Sequence, residues 1–118
     1  MIGKLKFIHS KEEWDFHYTY HVTILNKNKN IGNVTLSVTL DDIQIIGMYV
    51  QPQYRGQGIG EKLMRELEKI YSSYDKISLK VRRDNISAVN LYKKFGFKFY
   101  SIEEPGIYQW MIKINKIK

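Results

Sequence analysis

Apolar and polar residues alternate along the first half of this chain, which is the period of β-strands with one buried face. The apolar positions are Tyr18, Tyr20, Val22 and Ile24 in one run and Val34, Leu36, Val38 and Leu40 in the next. A polar turn over residues 26–30 separates the two runs, and Asp41-Asp42 leads into a third apolar run over residues 43–50. Three strands joined by short turns predict an antiparallel meander. Residues 5–8 predict a short first strand, and Ser10 followed by Glu13 predicts one helical turn over residues 10–14.

The period becomes helical after residue 58. Apolar residues at helical spacing are Ile59, Leu63, Leu67, Ile70 and Tyr74 in one helix, and Ala88, Leu91, Tyr92 and Phe95 in a second helix over residues 85–95. A strand is predicted between them at residues 77–81, and two more at residues 97–102 and 107–114. Gly96 stands where a helix ends in a left-handed conformation.

This order of elements predicts a single α+β domain over residues 1–118. Its sheet is expected to be mixed and mostly antiparallel, with about six to seven strands and two main helices. The first helix connects the strands at residues 43–50 and 77–81, so this pair is expected to be parallel. The apolar share of 43% is typical of a folded domain.

The formal net charge of +7 favours an anionic partner or a lysine-rich solubilising surface. We prefer the second interpretation, because no basic stripe with interleaved aromatic residues indicates nucleic-acid binding. The absence of cysteine excludes disulfides, thiolate metal ligands and a nucleophilic thiol, and it fits a cytoplasmic protein. His9, His17 and His21 are too scattered to predict a metal site. No membrane span or signal peptide is expected.

The turn between the third strand and the first helix carries the clearest chemistry. It contains Arg55, Gly56, Gln57, Gly58, Ile59 and Gly60. Glycines let a ligand approach the backbone, and the free N–H groups of a helix N-terminus attract phosphate. The sequence therefore predicts a phosphate-binding turn, with Arg55 adding a permanent positive charge.

Two motifs together resemble the GNAT superfamily of acetyl-CoA-dependent N-acetyltransferases. The family loop of Arg or Gln, two free positions, Gly, one free position and Gly or Ala is matched by Arg55, Gly58 and Gly60. A second family motif is matched by Asn85, Ala88, Leu91, Tyr92, Gly96 and Phe97. The resemblance covers the chain from about residue 18 onward and implies the GNAT fold, here with shortened N-terminal helices.

The resemblance also implies roles for particular residues. Backbone N–H groups of residues 55–60 would bind the pyrophosphate of coenzyme A, and main-chain groups of Met48 and Val50 would bind its pantetheine arm. Tyr92 would donate a proton to the departing thiolate. Asn85 would cap the second helix, contact the cofactor arm, or do both.

The general base is not evident from the sequence. Many family members carry a glutamate on the strand before the loop, whereas this strand has Gln44 and Ile46. The remaining candidates are Asp42, Tyr49, Glu103 and Glu104. Because residues 10–15 leave room for about one helical turn, we expect an open acceptor groove that a second subunit of a homodimer or a macromolecular partner completes.

The sequence thus predicts an N-acetyltransferase that moves an acetyl group from acetyl-CoA to a primary amine in a ternary complex. The acceptor remains open between a small molecule and a protein. The alternative is a module of the same fold that binds coenzyme A but has lost the base. A small basic nucleic-acid-binding domain ranks last, because it leaves both motifs unexplained.

Overall fold

The computed structural model describes residues 3–40, 42–100 and 107–115. One seven-stranded sheet with the order β1-β2-β3-β4-β5-β7-β6 forms its centre. The elements are β1 (Leu5–Glu13), β2 (His17–Asn26), β3 (Lys29–Thr39), β4 (Ile43–Val50), α1 (Ile59–Tyr71), β5 (Lys76–Arg82), α2 (Ile86–Lys94), β6 (Lys98–Phe99) and β7 (Tyr108–Ile114). A single 3₁₀ turn, Pro52–Tyr54, precedes α1.

The predicted fold class is confirmed. Every neighbouring pair of strands is antiparallel except β4 and β5, which are parallel and joined through α1. The alternation of β2 and β3 has the predicted cause, because Val22, Val34 and Leu36 are fully buried on the face that α1 covers. No helix among the described residues is long and apolar enough to span a membrane.

The predicted helical turn at residues 10–14 is wrong. β1 continues to Glu13 and pairs with β2 along its whole length, from Leu5 opposite Asn26 to Glu13 opposite Tyr18. The Ser-x-x-Glu pattern is a local capping signal, and the cross-strand pairing with β2 outweighs it. The backbone N–H of Trp14 donates to the carbonyl of His17 at 2.7 Å and closes a tight hairpin instead.

The other boundaries shift by a few residues. α1 ends at Tyr71, three residues before the predicted end, and β7 begins at Tyr108. β6 is confined to Lys98–Phe99, while residues 101–102 of the predicted strand lie outside the described residues. Gly96 has the expected positive φ of 95° after α2.

The hydrophobic core lies between the sheet and the two helices. α1 contributes Ile59, Leu63, Met64, Leu67 and Tyr71, and α2 contributes Val89 and Tyr92. The rings of Tyr71 and Tyr92 both contact the ring of Phe97 edge-on, with centroids 6.2 Å and 6.0 Å away. The two helices therefore share one aromatic contact that fixes their spacing on the sheet.

Candidate active site

The parallel strands β4 and β5 separate soon after they pair. Their register includes only Gln44 opposite Ser78 and Ile45 opposite Leu79. On the other side of β4, Thr35 pairs with Gly47 and Leu36 with Ile45, so Ile46 is an extra residue that makes a β-bulge. A bulge bends its strand and increases the local twist, which explains why β4 leaves β5 at this point.

The separation opens a cleft of about 740 Å³ between the ends of β4 and β5 and the starts of the two helices. Eight of the ten residues predicted to bind the cofactor line it: Met48, Val50, Arg55, Gly56, Gly58, Gly60, Asn85 and Tyr92. The other two do not line it. Gln57 is exposed and its side chain donates to the carbonyl of Gln53 at 3.0 Å, while the side chain of Ile59 is buried in the core.

The glycines of the turn are required for different structural reasons. Gly56 and Gly58 have φ values of 77° and 82°, and an added Cβ at either would meet no atom within 4 Å. A left-handed conformation is required there, and open space lies above it. Gly60 serves helix packing instead, because its Cβ would lie 3.1 Å from Cδ2 of Leu91 on α2.

The N-terminus of α1 has no side-chain cap. Its N-cap residue is Gly58, and intrahelical bonding begins with the N–H of Lys62 donating to the carbonyl of Gly58 at 3.1 Å. The N–H groups of the first turn therefore have no intrahelical acceptor, and the positive end of the helix dipole faces the cleft. This arrangement can bind a phosphate group.

Glu61 is the one carboxylate among the described cleft-lining residues. It is bound by Arg65 on its own helix and by Lys94 of α2, whose Nζ lies 2.8 Å from Oε1. The hydrogen bonds from Lys94 and Arg65 lower the pKa of Glu61. Its charge is thus compensated where a phosphate would otherwise be repelled.

Arg55 turns back onto β4. Its Nε donates to the carbonyl of Val50 at 2.7 Å, and its guanidinium lies 5.4 Å from the centre of the Tyr49 ring. A carbonyl oxygen can accept a second hydrogen bond, so the main chain of Val50 is shared rather than blocked. Met48 lies on the face beneath the helices, close to Gly60.

Tyr92 lines the cleft from α2 and is 7% exposed. Burial raises the pKa of Tyr92 to about 12. The phenol is therefore protonated across the physiological range and able to donate a hydrogen bond into the cleft. Asn85 caps α2, since its Oδ1 accepts from the N–H of Ala88 at 3.2 Å, and it lines the cleft as well.

The candidate bases are not brought together at the cleft. Asp42 instead accepts a hydrogen bond from Nε2 of Gln44 at 2.8 Å. Tyr49 lines the cleft, whereas Glu103 and Glu104 lie outside the described residues. Among the described residues, no group of three histidine or acidic side chains could hold a metal ion.

Asn26 supports the cleft, although the sequence predicted it only as part of a polar turn. It is 4% exposed, its Oδ1 accepts from the N–H of Gly3 at 3.0 Å, and its Nδ2 donates to the hydroxyl of Tyr54 at 3.2 Å. Tyr54 directly precedes Arg55 and lines the cleft. Asn26 therefore anchors the start of the glycine turn. The sequence did not predict this contact, because the two residues are 28 positions apart.

Comparisons with known proteins agree with this geometry. The family model of the acetyltransferase (GNAT) family matches residues 4–97. A provisionally assigned ribosomal protein bS18-alanine N-acetyltransferase of Bacillus subtilis is 35% identical over 83 residues, which are 69% of this chain and 55% of that protein. The N-terminal acetyltransferase B complex catalytic subunit NAA20 of Arabidopsis thaliana is 36% identical over 73 residues, covering 53% of this chain and 42% of that protein.

A solved structure shares the fold. The PaiA N-acetyltransferase of Thermoplasma acidophilum, crystallised in complex with coenzyme A, has a TM-score of 0.72 and 26% identity. The match covers 81% of this chain and 60% of that one. The chain thus spans about half the length of the two curated relatives, 55% and 42%.

Proposed function

The chain belongs to the acetyltransferase (GNAT) family, and on that premise we propose that it transfers an acetyl group from acetyl-CoA to a primary amine. The observation that carries this proposal is the opening between β4 and β5 against the uncapped N-terminus of α1. An extended thioester arm fits a gap between two strands, and a pyrophosphate fits a helix N-terminus. We include in this proposal a cytoplasmic location, which the absence of cysteine favours.

In this proposal, one group of cleft residues binds the pyrophosphate of acetyl-CoA and another group binds its thioester arm. Backbone N–H groups of residues 55–60 bind the pyrophosphate, and Gly56 and Gly58 leave room for it. Main-chain groups of Met48 and Val50 face the gap and bind the pantetheine arm. Asn85 orients α2, which presents Tyr92 to the sulfur.

The transfer proceeds by direct attack in a ternary complex. The lone pair of the neutral amine forms a bond with the thioester carbonyl carbon, and the C–S bond breaks with its electron pair moving to sulfur. The amine proton passes to water, and the thiolate is protonated to give free coenzyme A. Acetyl-CoA supplies the acyl group, and no redox step is required.

Tyr92 stabilises the leaving thiolate in this scheme. An ordinary alkyl thiol has a pKa of about 8.5, compared with about 12 for Tyr92. Complete proton transfer from this phenol to sulfur would be uphill by about 5 kcal/mol. Tyr92 therefore acts mainly as a hydrogen-bond donor to the sulfur as charge develops, and water supplies the proton.

Cofactor binding is tested first, by isothermal titration of the protein with acetyl-CoA and with acetyl-pantetheine, which lacks the pyrophosphate. We expect saturable binding of acetyl-CoA and binding of acetyl-pantetheine at least about tenfold weaker, because the phosphate contacts are lost. Absence of acetyl-CoA binding at millimolar concentration would refute the proposal. Turnover is then followed as thiol release with a panel of amines.

A non-catalytic coenzyme A-binding module is the second candidate. Gln44 favours it, because a glutamine that donates to Asp42 cannot accept a proton from the amine. This candidate predicts cofactor binding without acceptor-dependent thiol release. It also predicts that Tyr92→Phe leaves function unchanged, whereas the leading proposal requires a slower reaction.

The amino terminus of a protein or peptide is the acceptor that we propose. The names of both relatives refer to acetylation of alanine or of N-termini. Strand β1 and a tight hairpin at residues 14–16 replace the helical turn that was predicted at residues 10–14. We infer that this side of the sheet is open to a large acceptor. Sedimentation of the protein with and without coenzyme A tests whether a homodimer completes this side.

A further inference from the structure

The cleft passes through the sheet and opens on the face opposite the helices. Along β5, Leu79 and Val81 are buried beneath the helices, while Lys80 and Arg82 project from the other face. All four residues line the cleft, because β4 no longer covers this edge of β5. A thioester bound from the helix side can thus meet an acceptor that arrives from the open face.

Positive side chains stand on both sides of this opening. On the β5 side, Nζ of Lys80 lies 5.6 Å from the ring centre of Tyr108, and the guanidinium of Arg82 lies 6.0 Å from the same ring. On the β4 side, the guanidinium of Arg55 lies 5.4 Å from the ring centre of Tyr49. Such cation–π contacts stabilise a cation by about 0.5–1 kcal/mol at exposed sites, so they favour these positions.

The described carboxylates only partly offset these three cations. Asp84 accepts from Nε and Nη2 of Arg82 at 3.1 Å and 2.9 Å and compensates one of them. Glu61 lines the cleft on the helix side and is already bound by Lys94 and Arg65. From the described residues, the open-face mouth of the cleft therefore has a positive charge.

We propose that the acceptor is an α-amine with a carboxylate close to it, an inference that rests on the proposed function. Under the proposed function the carboxylate belongs to an acidic residue at the start of a peptide. A free amino acid is the other source of the same chemistry, and the test distinguishes the two. Lys80 and Arg82 attract this group, and the same charges oppose a polyamine or a lysine-rich acceptor.

The positive mouth also favours the reactive form of such an amine. Neighbouring cations lower the pKa of an ammonium group. The α-ammonium at the start of a peptide has a pKa of about 7.7–8.0, so a small decrease makes it mostly neutral at pH 7.5, whereas the pKa of a lysine side chain is about 10.4. The charges therefore help an α-amine to attack without a strong base, and they help a lysine much less.

Matched peptides test this inference by thiol release. Each pair differs only by Asp or Asn at the first, second or third residue and ends in an amide, so that charge is the single variable. We expect kcat/KM to be about tenfold higher for the Asp peptide in at least one pair, and this ratio to fall as salt increases. Free aspartate and asparagine form a separate arm that distinguishes an amino acid from a peptide acceptor.

Lys80→Gln should bring the Asp to Asn ratio close to one without changing the Kd for coenzyme A. Lys76→Gln is the matched control, because Lys76 lies on the same strand and face, four residues from Lys80 and outside the cleft. The salt dependence uses the unaltered protein, so the test does not depend on folding of the variants.

The outcomes separate the two proposals. Thiol release at equal rates with Asp and Asn acceptors, or a preference that Lys80→Gln leaves unchanged, overturns the carboxylate inference and leaves the acetyltransferase proposal in place. Thiol release with lysine side chains in preference to α-amines overturns it too. No thiol release with any amine refutes the proposed function and this inference together.

Discussion

Two junctions in the same sheet have opposite characters. β2 and β3 remain paired from His17 opposite Thr39 to Asn26 opposite Lys29, through one register shift at Ile31. β4 and β5 pair only at Gln44 and Ile45 and then separate. The first junction uses its backbone groups within the sheet, whereas the second leaves backbone groups of β4 and β5 without a strand partner. Under the proposed function, these unpaired groups bind the cofactor.

The bulge at Ile46 explains the difference. β3 follows β4 through the bulge and stays paired, with Gly32 opposite Val50. β5 lies on the other side and cannot follow, because the bulged strand bends away from it. Substitutions in the two junctions should therefore affect different properties, and the following experiments test whether stability and binding can be separated.

The largest effect is expected in the continuous junction. Ile24→Ala removes a fully buried side chain from β2 and should lower the free energy of unfolding by about 2–5 kcal/mol. Urea denaturation measures this change. Coenzyme A affinity of the folded fraction should stay within about twofold, because Ile24 does not line the cleft. A large loss of affinity in folded protein would show that the two junctions are not separate.

A substitution in the glycine turn should instead affect mainly cofactor binding. Gly58→Val forces a β-branched residue to a φ of 82° and should weaken acetyl-CoA binding about 100-fold, as measured by isothermal titration. Asn28→Val is the matched control, since Asn28 has a φ of 68° in the β2–β3 turn. It should suffer comparable strain and bind acetyl-CoA normally. Equal loss of binding in both variants would indicate general unfolding.

Tyr92→Phe should lower kcat about 10- to 100-fold with little change in the Kd for coenzyme A. This range corresponds to a hydrogen bond to a charged group. Tyr71→Phe provides the comparison, because Tyr71 packs on the same Phe97 ring from α1. The hydroxyl of Tyr71 is buried and has no hydrogen-bond partner among the described residues. Its removal should leave kcat unchanged and raise stability by about 1 kcal/mol.

The smallest effect is expected for the change in folding stability with alkaline pH. The pKa of Tyr92 is about 12 when folded and about 10 when unfolded, so the unfolded chain loses this proton first. The stabilisation of the folded state by the raised pKa of Tyr92 is fully present below pH 10. It is lost at about 1.4 kcal/mol per pH unit as the pH rises toward 12. Denaturation at pH 9, 10 and 11 should show a shallower decline for Tyr92→Phe. Parallel declines would contradict the raised pKa.

Periodic segments were predictable because burial of one face imposes the period directly. The alternation in β2 and β3 and the helical spacing in α1 gave the correct element types. The error at residues 10–14 arose because a capping pattern involves only a few adjacent residues, whereas β1 depends on its partner β2. The assignment of residues 1–118 to a single GNAT domain stays a prediction.

The sequence by itself determined the meander, the helical crossover and the glycine turn, because each depends on residues that are neighbours along the chain. Only the tertiary structure decided that β4 leaves β5 after Ile45, that Asn26 anchors Tyr54, and that Lys80 and Arg55 line the same cleft. These features involve residues 25 or more positions apart. Their geometry follows from strand register and from one bulge, which no local pattern specifies.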